Sequence, residues 1–206
     1  MKFGLDVSEH NDYSTKRDNF WNELMKSKFH DFIIIRLGFG IDGAADYSFL
    51  DTYYRAKEAG IKDIGCYWFA YAMNPEETKI EADKCINLIE KYGVELTLPI
   101  IYDMEANGKW NSRGFSYTRS NITNMAQNWI DIMKEAKLNT GIYASLSFIE
   151  DYIDYQKLGC SLWTAHYTNN INKLYFKTWC NQYTESQYIG KYGPFDANVI
   201  WEGNEC

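Results

Sequence analysis

The feature that most constrains the fold of this chain is an alternation of short apolar segments with amphipathic helical patterns. Five apolar segments are each followed by residues with helical spacing, and three more apolar segments follow with no helical pattern between them. Such alternation is typical of a parallel sheet covered by helices, and eight strands are enough to close that sheet into a barrel. The sequence therefore predicts an α/β fold, an irregular TIM-like barrel of eight strands with about five helices.

The boundaries of these elements follow from apolar runs, caps and turn residues. The predicted strands are residues 3–8, 32–37, 65–72, 98–102, 140–144, 161–167, 178–183 and 195–201. The predicted helices are residues 17–28, 47–59, 75–92, 118–137 and 147–157. Because the chain has no internal linker and no repeat of fixed period, we expect residues 1–206 to form a single domain.

Two acids follow the fourth predicted strand. The apolar run 98–102 ends in Asp103 and Glu105, and Asn107-Gly108 then marks a loop. Side chains alternate along a strand, so these two acids point the same way, with α-carbons roughly 6–7 Å apart. Buried acids are costly unless something pairs or uses them. A glycosidase needs such a pair, one acid protonated and one ionised, whereas the plain alternative is a solvated strand end.

Two further acids, Asp6 and Asp196, fall in the first and the last predicted strands. In a parallel barrel the active site lies at the carboxyl ends of the strands. We therefore expect Asp6, Asp103, Glu105 and Asp196 to converge on one mouth of the barrel.

Charge and hydropathy exclude several classes of partner. The net charge of −7, with no basic stripe, argues against nucleic acid. No apolar run approaches the roughly 18–20 residues of a membrane span. Residues 1–7 lack the apolar core of a signal peptide and lead directly into a strand. We expect no membrane span and no signal peptide in this chain.

Cysteine and histidine spacing gives no metal site. The five cysteines are scattered without a Cys-x-x-Cys pair, which predicts free, buried thiols in a reducing compartment: Cys66, Cys85, Cys160, Cys180 and Cys206. His10, His30 and His166 lack the spacing of a zinc hydrolase. His10 and His166 each follow a strand, so either can line a site. We expect no metal and no cofactor.

Two further patterns are assigned to structure. Gly38-x-Gly40-x-x-Gly43 follows a strand, as in dinucleotide sites, but the helix signal starts later and Asp42 would repel phosphate, so a rim loop is favoured. The charges of helix 75–92 predict a solvated face made of Glu76, Glu77, Lys79, Glu81, Asp83 and Lys84.

An ordered set of short motifs runs along nearly the whole chain. It comprises Gly4-Leu-Asp6-Val-Ser8, Ile35-Arg-Leu-Gly-Phe-Gly40, Ala59-Gly-Ile61, Gly65-Cys-Tyr-Trp-Phe-Ala-Tyr71, Pro99-Ile-Ile-Tyr-Asp-Met-Glu105, Gly141-Ile-Tyr143, Leu162-Trp-Thr-Ala165 and Asp196-x-Asn198. This set resembles the Chalaropsis-type lysozymes of glycoside hydrolase family 25, the N-acetylmuramidases that include phage and bacterial endolysin catalytic domains. The resemblance implies an irregular eight-stranded barrel, without a cofactor, that cleaves the β-1,4 bond between N-acetylmuramic acid and N-acetylglucosamine.

The resemblance also assigns roles by position. Glu105 corresponds to the general acid, Asp103 to the second acid of the motif, Asp6 to the aspartate of the first strand and Asp196 to the late aspartate. Attack by the acetamido group of the substrate and attack by water with inversion are both open. We expect burial and the charge of Asp103 to raise the pKa of Glu105, while Asp103 stays ionised.

Sugar contacts are expected from side chains at the strand ends, with core packing as the alternative for each aromatic ring. The expected set is Tyr67, Phe69, Tyr71, Tyr143, Trp163, His166 and Gln182. Two departures from the family pattern concern this set. His10 and His166 stand where glutamine is common, and the late Trp-Gln-Tyr motif is interrupted after Trp179.

The expected partner is the glycan strand of bacterial peptidoglycan. The enzyme would act on the cell wall, outside the cell or after release from it by a phage, and any wall-binding domain would be separate from this chain. Two alternatives remain open. One is a catalytically silent barrel that only binds glycans, and the other is a hydrolase of another N-acetylhexosamine polymer such as chitin.

Overall fold

The computed structural model describes residues 1–174 and 178–201. The strands are β1 (Lys2–Val7), β2 (Phe32–Phe39), β3 (Ala44–Ala45), β4 (Asp63–Phe69), β5 (Ile100–Asp103), β6 (Thr140–Ser145), β7 (Ser161–Ala165), β8 (Cys180–Ile189) and β9 (Tyr192–Ile200). The helices are α1 (Asp12–Thr15), α2 (Asp18–Lys26), α3 (Phe49–Ala59), α4 (Pro75–Tyr92), α5 (Gly108–Ser112), α6 (Arg119–Glu135) and α7 (Leu146–Tyr152).

Eight of these strands close into a barrel in the order β1, β2, β4, β5, β6, β7, β8, β9. Neighbouring strands are parallel from β1 to β8, and β9 runs antiparallel between β8 and β1. The short strand β3 pairs only with the end of β2. The α/β class and the irregular, eight-stranded TIM-like barrel are thus confirmed. In the described part of the chain, α1 and α5 add two short helices to the five predicted ones.

The late strands are longer than predicted. β8 and β9 form a hairpin that extends the predicted strands 178–183 and 195–201 towards a turn at Gly190, whose φ of +58° suits glycine. By contrast, α7 ends at Tyr152 rather than at residue 157, because Ile153 adopts an extended conformation and is buried in the core.

The buried apolar residues form two clusters, one inside the barrel and one between the barrel and the helices. The inner cluster includes Phe32, Ile34, Tyr67, Tyr143 and Trp163, whereas the strand residues between them face the helices. This division follows from the alternation of side chains along each strand. The inner cluster closes one end of the barrel, so polar strand ends are left to line the other.

The solvated face predicted for α4 is wrong at one position. Glu76 and Lys79 are exposed, but Glu81 has no exposed surface. Glu81 lies on the same face of α4 as the buried residues Thr78 and Cys85. This face packs against the barrel.

The prediction of buried thiols agrees with the structure at three positions, whereas Cys160 is only partly buried. Cys66, Cys85 and Cys180 are buried and form no disulfide. Burial raises the pKa of all three thiols, so they are poor nucleophiles. Cys206 lies outside the described residues.

Close strand packing at Gly141 predicts a measurable loss of stability on substitution. A β-carbon at this position would lie 2.3 Å from the carbonyl oxygen of Ser161 on the paired strand β7. We expect Gly141→Ala to destabilise the protein by about 1–3 kcal/mol in urea unfolding, because overpacking forces the backbone to move. Gly108→Ala is the matched control, since nothing lies within 4 Å of its added β-carbon. Equal stability of the two variants would contradict this account of the β6–β7 contact.

Candidate active site

A pocket opens at the carboxyl ends of the parallel strands, above the inner apolar cluster. Its lining is acidic, aromatic and amide-bearing: Asp6, Ser8, His10, Asn11, Arg36, Tyr67, Phe69, Tyr71, Asp103, Glu105, Tyr143, Trp163, Gln182 and Asp196. The four acids expected at one mouth of the barrel are therefore brought together. They come from β1, from β5 and the residues after it, and from β9.

Asp6 and Asp196 face each other across the β1–β9 pair, where they are register partners. The Oδ2 atom of Asp6 accepts hydrogen bonds from Gln182 Nε2 at 3.1 Å and from Asn198 Nδ2 at 2.7 Å. Burial, followed by the charge of Asp196, raises the pKa of Asp6 well above its usual range. The pKa of Asp196 rises to about 6 through burial and the charge of Glu185.

The amide partners of Asp6 are themselves fixed by aromatic side chains. Tyr143 Oη donates to Gln182 Oε1 at 2.9 Å, and Trp163 Nε1 donates to Asn198 Oδ1 at 2.8 Å. Each amide oxygen is thereby occupied, so each NH₂ group points towards Asp6. This buried network holds the Asp6 carboxyl in one orientation.

Asp103 ends β5 and is 6% exposed, whereas Glu105 lies two residues further on and is only partly buried. Asp103 Oδ1 has no hydrogen-bond partner among the described residues. Burial raises the pKa of Asp103 well above its usual range, and the charges of Glu105 and Asp6 add to this effect. This direction is opposite to the one that favours an ionised Asp103, because a buried carboxylate oxygen without a donor is costly, and the ionisation of Asp103 stays a prediction.

The pKa of Glu105 is raised, as expected, and burial is the main cause. The charge of Asp196 adds to this effect, and the expected repulsion between Asp103 and Glu105 is present as well, since the charge of Glu105 raises the pKa of Asp103. The late aspartate on β9 thus acts on the acid that follows β5, across the mouth of the pocket.

Arg36 is the only lysine or arginine that lines the pocket in the described part of the chain. Its Nε atom donates to Asp46 Oδ2 at 2.8 Å, and its Nη2 atom lies 3.0 Å from Glu9 Oε1. Asp46 is buried and also accepts from the backbone N–H and the hydroxyl of Ser48. The charge of Arg36 lowers the pKa of Asp103 and so opposes the effect of burial.

The predicted sugar-contacting residues that line the pocket lie at its floor, its rim and its wall. Tyr67, Tyr143 and Trp163 form a packed floor, with Tyr143 and Trp163 ring centroids 4.6 Å apart. Phe69 and Tyr71 are half-buried at the rim, and Gln182 lines the wall.

His166 is not among the residues that line the pocket within 1–174 and 178–201, so its sugar contact stays a prediction. It follows Ala165, the last residue of β7, and its backbone N–H donates to the carbonyl oxygen of Gln182 at 2.9 Å. His10 does line the pocket. Trp179, whose place the interrupted motif left open, is buried in the inner cluster.

Several pocket residues were missed from the sequence, namely Ser8, Asn11 and Arg36. A signal for Arg36 exists, because it shares strand parity with Phe32 and Ile34, which fill the barrel interior. The run 32–37 was interpreted as buried on both faces, which hid this alternation. Ser8 and Asn11 form a helix-capping box directly after β1, a local motif that places both at the mouth.

Within residues 1–174 and 178–201, the remaining sequence patterns correspond to no other site. Gly40 and Gly43 lie in the turn between β2 and β3, and no helix begins until Phe49. Among the described residues, no group of three or more His, Cys, Asp or Glu side chains has the arrangement of a metal site. None of the described helices combines the length and apolarity needed to cross a membrane.

Comparison with known proteins identifies relatives. The family model "Glycosyl hydrolases family 25" matches residues 5–192. The solved autolysin LytC from Streptococcus pneumoniae, in complex with a synthetic peptidoglycan ligand, is 27% identical with a TM-score of 0.82, and the match covers 97% of this chain and 46% of that one. This chain therefore spans about half the length of LytC.

Two further structures share the fold. A family 25 glycosyl hydrolase from Bacillus anthracis is 22% identical, with a TM-score of 0.75 and coverage of 98% and 90% of the two chains. A muramidase from Trichobolus zukalii is 19% identical, with a TM-score of 0.73 and coverage of 98% and 95%. A comparison with curated protein sequences gives no match. The family match over residues 5–192 and the barrel with its acid-lined mouth lead to one conclusion: this chain belongs to glycosyl hydrolases family 25.

Proposed function

We propose that this chain is a peptidoglycan hydrolase of the muramidase type, which cleaves the β-1,4 bond between N-acetylmuramic acid and N-acetylglucosamine. The observation that carries the proposal is the meeting of Asp6, Asp103, Glu105 and Asp196 in one aromatic-lined pocket of a family 25 barrel. Residues 1–206 would form a single catalytic domain. The site of action would be the bacterial cell wall.

Glu105 is proposed as the general acid. It is the partly exposed member of the Asp103–Glu105 pair, so it can reach the glycosidic oxygen of a glycan lying across the mouth. Its raised pKa favours the protonated form that donation requires. As the bond between the anomeric carbon and the glycosidic oxygen breaks, Glu105 gives its proton to that oxygen and becomes a carboxylate.

Asp103 is proposed to orient the acetamido group of the sugar. Its Oδ1 atom has no donor in the described part of the chain, and an acetamido N–H is a donor of the right kind. Such a hydrogen bond favours the ionised form, as does the charge of Arg36, so substrate would lower the pKa of Asp103. Attack on the anomeric carbon by the acetamido oxygen or by water fits this arrangement equally, and the anomer of the product distinguishes the two.

Asp6 and Asp196 are proposed to position the other two acids. Asp6 is held by Gln182 and Asn198, and Asp196 carries the charge that acts on Glu105. The aromatic floor of Tyr67, Tyr143 and Trp163, with Phe69 and Tyr71 at the rim, would contact the faces of the sugar rings.

The bond specificity is tested by the ends that the enzyme creates. Digestion of purified peptidoglycan, followed by borohydride reduction and mass spectrometry, should give new muramitol ends. New glucosaminitol ends would reassign the cleaved bond. No new ends from a protein that still sediments with cell walls would support a silent glycan-binding barrel, and turnover of chitin alone would support the other hydrolase.

The role of Glu105 is tested by Glu105→Gln, which removes the transferable proton and keeps the side-chain shape. We expect kcat on peptidoglycan to fall about 10²–10⁴-fold, the usual contribution of a general acid. Glycan binding, measured by co-sedimentation, should be retained. Glu90→Gln, at an exposed position of α4, is the control and should keep full turnover. Normal kcat in Glu105→Gln would exclude Glu105 as the acid.

The crowding of acids predicts a pH-dependent gain in stability on neutralising Asp196. Its pKa is about 6 in the folded protein and near 3.8 in the unfolded chain, so the folded state binds more protons between these values. Stability contributed by this group therefore falls as pH rises from 4 to 6. We expect the Tm of Asp196→Asn, relative to the unmodified protein, to increase over this range and then to level off.

The same scan with Glu90→Gln provides the control for that measurement, because Glu90 is exposed. Its Tm difference from the unmodified protein should stay constant with pH. A constant Tm difference for Asp196→Asn as well would show that the pKa of Asp196 is not raised in the folded protein.

A further inference from the structure

Glu81 is a buried acid that the proposed mechanism does not use. It lies on α4 outside the barrel, has no exposed surface and does not line the pocket. Burying a carboxylate is costly unless hydrogen bonds compensate. Its contacts therefore indicate what this side chain stabilises.

The carboxylate of Glu81 connects two strand ends of the site. Its Oε1 atom accepts from the backbone N–H of Tyr71 at 2.8 Å, and its Oε2 atom accepts from Tyr102 Oη at 2.6 Å. The backbone N–H of Ala72 also lowers the pKa of this carboxylate. Tyr102 directly precedes Asp103 on β5, and its ring stacks on Trp129 with centroids 4.3 Å apart.

The segment held by Glu81 is the exit from β4 to the pocket rim. The N–H of Ala70 donates to the backbone oxygen of Asp103 at 3.0 Å. With Tyr71 bound to Glu81, the consecutive amides of Ala70 and Tyr71 are both satisfied, and Arg113 Nη1 donates to the carbonyl oxygen of Tyr71 at 3.1 Å. The backbone on both sides of the Tyr71 side chain is thus fixed.

The ring of Tyr71 is in turn held by close contacts at the rim. It packs edge to face against Phe39 and Phe69, with centroids 6.1 Å and 5.5 Å away. A β-carbon on Gly40 would lie 2.6 Å from the ring, so only glycine leaves room for it. A small shift of the Tyr71 backbone would therefore move the ring relative to the pocket.

We propose that Glu81 is a positioning residue, whose buried carboxylate fixes the backbone of Tyr71 and so sets the place of the Tyr71 ring at the sugar-binding rim. The contact between Tyr71 and a sugar rests on the proposed function. The contact between Glu81 and the backbone of Tyr71 rests on the hydrogen bonds alone. Glu81 acts through Tyr71 and does not touch substrate.

The ionisation of Glu81 is consistent with this role. Burial raises its pKa to about 7, and hydrogen bonds from Tyr102 and from the Tyr71 and Ala72 amides oppose the rise. The titratable or charged groups that face it are Glu77 and Cys85 on α4, Tyr102 on β5 and Arg113 after α5. The three donors favour the ionised form, in which neither oxygen carries a proton.

The test uses Glu81→Met, which fills the same space without an acceptor, and Glu76→Met as the matched control at an exposed position of α4. We expect KM for solubilised peptidoglycan glycan strands to rise about tenfold in Glu81→Met, because a buried amide donor is left unpaired, while kcat stays within about twofold. Glu81→Gln should restore KM, because its amide oxygen still accepts from the Tyr71 N–H. Glu76→Met should match the unmodified protein.

A double-mutant cycle separates positioning from general destabilisation. In a Tyr71→Ala background, Glu81→Met should leave KM unchanged, because the ring that it positions is absent. The same tenfold rise in that background would overturn the proposal. If Glu81→Met does not fold, Glu81→Asp replaces it, since its shorter side chain withdraws the carboxylate from Tyr71 and should raise KM. An unchanged KM in Glu81→Asp would also overturn the proposal.

Hydrogen exchange makes the result independent of the enzymatic assignment. The amides of Tyr71 and Ala72 should exchange faster in Glu81→Met than in Glu76→Met. Equal exchange rates would show that Glu81 does not hold this backbone. Absence of turnover in the unmodified protein would overturn only the proposed function, because the exchange rates still decide the role of Glu81.

Discussion

The burial of several carboxyl groups in one small mouth is the constraint on which the site depends. Burial is the largest cause of the raised pKa of Asp6, Asp103, Glu105 and Asp196, and their mutual repulsion adds to it. The described residues offset this cost unevenly, because Asp6 accepts from two amide groups whereas none of them donates to Asp103 Oδ1. Because the hydrogen-bond donors are distributed unevenly among the carboxyl groups, the acids differ in how readily they ionise. Acid catalysis needs such a difference.

The irregularity of the barrel produces this crowding. In a regular parallel barrel each strand brings its carboxyl end to the same rim. Here β9 runs antiparallel between β8 and β1, so Asp196 enters from the opposite direction and pairs in register with Asp6. The same strand supplies Asn198, which donates to Asp6. Because the barrel departs from eightfold βα repetition, the single strand β9 carries both Asp196 and Asn198, the hydrogen-bond donor to Asp6.

Much of this was available in the sequence, because it depends on periodicity. Eight apolar segments predicted the barrel, and strand ends predicted the convergence of the acids. Two signals were present but misinterpreted: Arg36 alternates with buried strand residues, and Glu81 shares a helical face with Thr78 and Cys85. The direction of the Asp103 pKa was not predictable, because it depends on which donors reach one oxygen atom, and spacing does not encode that distance.

The unequal hydrogen bonding of the acids also connects substrate binding to catalysis in the proposed mechanism. Burial raises the pKa of both Asp103 and Glu105, and each charge makes ionisation of the other acid less favourable. A sugar N–H that donates to Asp103 would lower its pKa, and the new carboxylate charge would then raise the pKa of Glu105. The proton would therefore be held by Glu105 when a glycan with an acetamido group lies in the pocket. In the proposed mechanism, selectivity for N-acetylated sugars would depend on Asp103 Oδ1, which has no hydrogen-bond donor among the described residues.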